Sequence, residues 1–156
     1  MILHILSSLF HSFFIQSALL SWFIAQLIKT IIAFVKHGNL NLERMVGSGG
    51  FPSSHTALVA ALTTAIGLQE GLQSSSFAIA LVFSLIVMYD ASGVRLAAGR
   101  QAAILNQLIR HFAERKIQLK GDGKLLKELI GHTPFEVFGG ILLGIVIAVS
   151  LYFLSI

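Results

Sequence analysis

The chain of 156 residues has no cysteine, so disulfides and thiolate-held metals are excluded. Charge is scarce as well. Only 12% of the residues are charged, roughly half the share of an ordinary soluble domain. With 55% hydrophobic residues and a mean hydropathy of +0.83, the composition excludes a soluble fold and predicts one integral membrane domain over residues 1–156. No acidic residue precedes Glu43, and no lysine or arginine precedes Lys29. A secretory signal opens with basic residues and ends at a small-residue cleavage site. Here the basic residues follow the apolar run, which therefore reads as a retained helix. Proline occurs twice, at Pro52 and Pro134, each at the opening of an apolar run. No nucleic-acid module is legible, so the net charge of +4 needs another origin.

Apolar runs cover about 13–35, 55–72, 77–98 and 134–156, against the roughly 20 residues that cross a hydrocarbon core. The second run is short for a full span. Gln69-Glu70-Gly71 and Ser74-Ser75-Ser76 make a polar turn after it. Residues 99–131 differ in character. Ile104, Leu105, Leu108, Ile109 and Phe112 fall at helical spacing opposite Arg100, Gln107 and Arg110, which predicts an amphipathic helix lying against the membrane. A basic linker broken by Gly121-Asp122-Gly123 follows. In the last run, Gly140 and Gly144 form a small-xxx-small pair that permits close helix packing. The predicted fold is all-α, a polytopic membrane helical bundle of about four transmembrane helices plus a cytoplasmic amphipathic helix. All eleven lysines and arginines lie between Lys29 and Arg44 or between Arg95 and Lys127. With four alternating spans both groups share one side, and the other side keeps only Glu70. The positive-inside rule puts the basic side in the cytoplasm and both termini outside. The net positive charge is then a topology signal, reinforced by attraction to anionic lipid.

The unusual polar residues gather on that same side. Gly47 to Thr56 is a glycine- and serine-rich turn that opens a buried helix, with Pro52 in the first turn and Ser53 or Ser54 as the cap. The unpaired N–H groups of such a helix start form an anion site, and His55 would face the anion. The plainer alternative is a glycine-rich hairpin with His55 at the water interface, as for His4 and His11. Lys29 and Lys36 are seven apart, nearly two turns, and share one helix face. They either flank an anion or snorkel separately to the interface. Asp90 lies at the end of an apolar helix with Arg95 after it, and a carboxylate at that depth calls for a partner. That partner is Arg95 or a first-helix lysine, in a structural ion pair or in a site. Gly131-His132-Thr133-Pro134-Phe135-Glu136 also has two readings. Thr133, Pro134 and Glu136 make a capping box. Alternatively Glu136 holds the imidazole of His132 in one tautomer, as for a nucleophile or base. Glu136 does both only if its two oxygens divide between Thr133 and His132.

The order of these motifs resembles the phosphatidic acid phosphatase type 2 and vanadium haloperoxidase superfamily. Lys29 with Lys36-His37, Pro52-Ser53-Ser54-His55, Arg95, and His132 with Glu136 stand in the order of its three motifs. Gly-Gly-Phe-Pro-Ser-Ser-His, Tyr-Asp-Ala-Ser-Gly-Val-Arg and Gly-His-Thr-Pro-Phe-Glu-Val together are similar to its divergent bacterial and plastid branch. There are departures. Lys36 replaces an arginine and so loses a bidentate clamp. Ser54 stands in place of glycine, and Glu136 in place of aspartate. Residues 96–131 separate Arg95 from His132.

The resemblance implies a phosphatase that needs no metal or other cofactor. His132 would attack phosphorus and form a phosphohistidine, oriented by Glu136, and His55 would protonate the leaving oxygen. Lys29, Lys36, Arg95, Ser53 and the backbone at Ser54 would bind the phosphate, with Asp90 behind them. The substrate expected is a phosphate or diphosphate, on a lipid because the site lies at headgroup level. The place expected is the bacterial cell membrane, with the site facing the cytoplasm. The alternative is a non-catalytic phosphate- or lipid-binding or scaffolding protein that keeps the fold.

Overall fold

The computed structural model describes residues 12–38, 50–115, 125–126 and 131–154. His4, His11, Glu43, Arg44, the glycines at 47 and 49, and the Gly121-Asp122-Gly123 break lie outside the described residues. All regular elements among the described residues are helices: α1 (Phe13–His37), α2 (Ser54–Glu70), α3 (Ser75–Tyr89), α4 (Arg95–Glu114) and α5 (Pro134–Leu154). A single π turn, Asp90–Val94, joins α3 to α4.

Local chemistry sets the helix ends. Ser53 caps α2 by accepting the Thr56 N–H, and Ser74 caps α3 by accepting that of Phe77. Pro52 therefore precedes the cap and does not occupy the first turn. Gly38 ends α1 in the left-handed conformation at φ 69° and donates its N–H to Phe34 O. Three helical stretches are long and apolar enough to cross a membrane: Phe13–Lys36, Ser75–Phe112 and Pro134–Leu154. The middle one runs 38 residues without a break, about 57 Å at 1.5 Å per residue. That is nearly twice a hydrocarbon core of roughly 30 Å. Its basic half, from Arg95, must therefore project beyond the core. The amphipathic stretch expected at 99–112 lies within α4, which continues the line of α3 through the π turn.

The packing is that of a membrane bundle. Large apolar side chains face outward, among them Phe23, Phe83, Ile86, Phe138 and Val146, while most buried positions are alanine, glycine, serine and threonine. Water would not tolerate that exposure, and lipid does. The 17-residue α2 lies at the centre, against α1, α3 and α5. Two of the outer helices, α1 and α5, bury a stripe of small residues spaced by four. On α1 the stripe is Ser17, Ser21 and Ala25; on α5 it is Gly140, Gly144 and Ala148. A Cβ on Gly144 would come within 2.5 Å of Ala57 O, so backbone touches backbone there. Between α2 and α3 the contact is polar: the Thr63 and Ser84 hydroxyls lie 2.7 Å apart, and Ser84 also donates to Val59 O at 3.1 Å.

The two small-residue stripes determine what happens at one end. Continued by four, the α1 stripe reaches Lys29 and the α5 stripe reaches Glu136. Both helices thus deliver an ionisable group to the N-terminus of α2, where Ser53, Ser54 and His55 begin.

Candidate active site

The loop entering α2 is clamped to the start of α5. Phe51 stacks on Phe135 at 5.1 Å between ring centroids, and its ring lies where a Cβ on Gly139 would be. Ser53 donates its N–H to Glu136 O at 2.9 Å. Gly50 turns the chain at φ 92°, a conformation that favours glycine, beside the aliphatic stem of Lys29. The buried Lys29 ammonium donates to Ser54 Oγ at 3.2 Å. Ser54, standing in place of the superfamily glycine, thereby fixes the first-helix cation.

His132 is 3% exposed and held on three sides. Its Nδ1 lies 3.0 Å from Glu136 Oε2, and its N–H donates to Ala91 O at 2.9 Å. The π turn explains the second bond. In an α-helix the Arg95 N–H would bond to Ala91 O; here it bonds to Asp90 O, and Ala91 O turns to His132. Gly131 completes the docking, because a Cβ there would collide with the Arg95–Leu96 backbone.

The capping box and the histidine–carboxylate pair coexist. Thr133 N–H donates to Glu136 Oε2 at 3.1 Å, and Glu136 N–H donates to Thr133 Oγ1 at 3.3 Å. The two jobs are not divided between the oxygens of Glu136: Oε2 alone serves both. With Nδ1–H donated to the carboxylate, Nε2 carries the lone pair. Nε2 is buried and has no hydrogen-bond partner among the described residues. Burial pushes the His132 imidazole below its ordinary value, an effect that the hydrogen bond to Glu136 opposes. The ring is therefore neutral at neutral pH.

His132 shares a cavity of about 300 Å³ with His55, Asp90, Ala91, Arg95, Ile86 and Val87. His55 lies within electrostatic reach of Lys29, His132 and Arg95. Asp90 pairs with Arg95, Oδ2 to Nε at 2.6 Å, and not with a first-helix lysine. A larger cavity of about 550 Å³ opens between α2, α3 and α5, lined by groups such as Leu68, Leu81 and Ile145. No titratable side chain lines it, whereas the smaller cavity is lined by two histidines, an aspartate and an arginine. Among the described residues no three His, Cys, Asp or Glu side chains are grouped to hold a metal ion.

The fold thus brings together Lys29, Ser53, Ser54, His55, Asp90, Arg95, His132 and Glu136. Lys36 stands apart. It is exposed on α1, about 10 Å further along the axis than Lys29. Ser53 is fully buried and its Oγ is engaged by the Thr56 hydroxyl at 2.9 Å. Sequence reasoning missed the Ala91 carbonyl, the Phe51–Phe135 clamp and the π turn. The five-residue spacing of Asp90 and Arg95 suits that turn but does not by itself call for one.

Known proteins place the chain further. The "Uncharacterized membrane protein YuiD" of Bacillus subtilis (strain 168) is 41% identical over 148 residues, covering 90% of this chain and 94% of that protein. No solved structure matches. The family model DUF212, described as the divergent PAP2 family, matches residues 10–147. Together with the paired histidines around one cavity, that match makes the chain a member of the divergent PAP2 family.

Proposed function

We propose that this membrane protein is a metal-independent phosphatase that acts through a phosphohistidine on a lipid phosphate or diphosphate at the cytoplasmic face. The observation that carries the reading is His132 Nε2: buried, unpartnered, neutral, oriented by Glu136, and in one cavity with His55 and Arg95. That is the arrangement of an activated nucleophile. In the first step Nε2 forms a bond to phosphorus as the bond to the leaving oxygen breaks, and His55 gives that oxygen its proton. In the second, His55 takes a proton from water as the water attacks phosphorus, and Nε2 leaves. Lys29 and Arg95, with the first N–H groups of α2, hold the charge on the equatorial oxygens, and preorganised donors of this kind lower the barrier most. Glu136 keeps the imidazole in the reactive tautomer and stabilises the positive charge that forms on it.

The cytoplasmic assignment follows from the positive-inside rule applied to the basic residues around this end of the bundle. The lipid assignment follows from a site at the end of membrane-spanning helices. One observation favours a second reading, non-catalytic phosphate binding: the exposed Lys36 stands away from the cluster, leaving one cation of the first motif unused. Protein purified in detergent with a chelator separates the two. The phosphatase releases phosphate from phosphatidic acid or a polyprenyl diphosphate, and His132→Ala and His55→Ala each abolish the release. No release from either substrate, with inorganic phosphate still bound, leaves the second reading.

A further inference from the structure

We infer that Asp90 is a positioning residue for the guanidinium of Arg95, a role that rests on the phosphate-site reading above and that the π turn makes possible. In an α-helix, side chains five apart diverge by about 140° around the axis. In the π turn they meet. Asp90 holds Arg95 twice, its carbonyl accepting the Arg95 N–H and its Oδ2 accepting Nε–H at 2.6 Å. The use of Nε matters, because both terminal amino groups of the planar fork stay without a protein partner among the described residues. Those are the groups that grip two phosphate oxygens at once.

A carboxylate at an anion site is otherwise hard to explain, since it repels phosphate. The side chains of Arg95 and Asp90 are 55% and 40% exposed, so solvent screens that repulsion. Orientation is not screened. A long side chain already fixed in its binding pose loses less freedom when phosphate arrives. An ordinary exposed ion pair behaves differently: it adds little to stability and is indifferent to phosphate. The same turn gives Ala91 O to the His132 N–H, so the gripping cation and the imidazole are carried by one piece of backbone.

The test is titration of the full-length protein in detergent micelles with inorganic phosphate, in the wild type, Asp90→Asn, Arg95→Ala and the double variant. Asp90→Asn is expected to raise the Kd about tenfold in the wild-type background and less than about twofold when Arg95 is already alanine, the non-additivity of residues acting as a unit. Asp90→Ser is expected to behave as Asp90→Asn does and serves if the amide variant fails to fold. Wild-type affinity in both Asp90 variants, or the same loss with and without Arg95, overturns the role. Coupling without release of phosphate from any lipid substrate ends the phosphatase reading and leaves Asp90's role standing. Release without coupling does the reverse. A wild type that binds no inorganic phosphate overturns both.

Discussion

A methyl group added at Gly140 would lie 2.5 Å from Ser53 O and 2.8 Å from Thr56 Cβ, where ordinary contact begins at 3.4 Å. Neither neighbour can swing aside, because one is backbone and the other is rooted in the capped first turn of α2. The helices must therefore part by about 0.9 Å in an interior packed as closely as a crystal. A gap of that size forfeits roughly a quarter to a half of the dispersion energy of the atoms beside it. Gly140→Ala should destabilise the protein by about 1–3 kcal/mol, the usual cost of overpacking. The same displacement pulls Ser53 and His55 away from Glu136 and His132, and a misplacement of about 1 Å lowers a rate by up to about 100-fold. Gly93→Ala is the control. A Cβ there meets nothing nearer than Tyr89 Cζ at 3.9 Å, so it should be neutral or stabilising by up to about 1 kcal/mol. Detergent unfolding followed by the fluorescence of Trp22, with phosphate binding in parallel, reads both quantities. A Gly140→Ala protein as stable as Gly93→Ala would refute the backbone contact between α2 and α5.

The pH profile follows from the environments of His132 and His55. The nucleophilic ring must be neutral, and burial lowers it below 6.5. His55 must start protonated and is lowered as well, by burial and then by Lys29. The profile of kcat/KM should therefore be bell-shaped with its maximum below neutrality, and a plateau through neutrality contradicts the two roles. Glu136 favours the protonated ring, so Glu136→Gln should move the acid limb to lower pH as well as slowing the reaction; a limb shifted upward contradicts the pairing. Lys29→Met should weaken binding of inorganic phosphate by about tenfold or more, consistent with the loss of a charge-assisted contact. Lys36→Ala should change it less than about twofold, as expected of an exposed, screened charge, and equal losses would place Lys36 in the site. A reporter fused after Ile156 should appear on the outer face, whereas a cytoplasmic signal would reverse the side assigned to the site.

How much of this was legible beforehand depends on range. Helix type followed from apolar runs, and the small-xxx-small pair at Gly140 and Gly144 announced a close contact. Its partner was invisible, because α2 is nearly uniform in hydropathy and only the fold reveals that three helices surround it. His55, His132 and Glu136 could be named because each sits in a local phrase with its own logic, a cap or a helix start. The π turn could not. Residues 90–94 carry no composition that distinguishes five-residue from four-residue bonding, and the reason for it, the Ala91 carbonyl accepting the His132 N–H, lies 41 positions along the chain. Glu136 illustrates the same limit. Its two roles were each readable, but their convergence on Oε2 is a matter of rotamer and not of spacing.

The most direct test of the phosphoryl-transfer account is acid–base profiling of the covalent label left by a radiolabelled lipid phosphate after rapid denaturation. The account predicts a label that is lost in acid, survives alkali, maps to the peptide containing His132, and is absent from His132→Ala. Turnover without any label on His132, or a label that persists in His132→Ala, would contradict it.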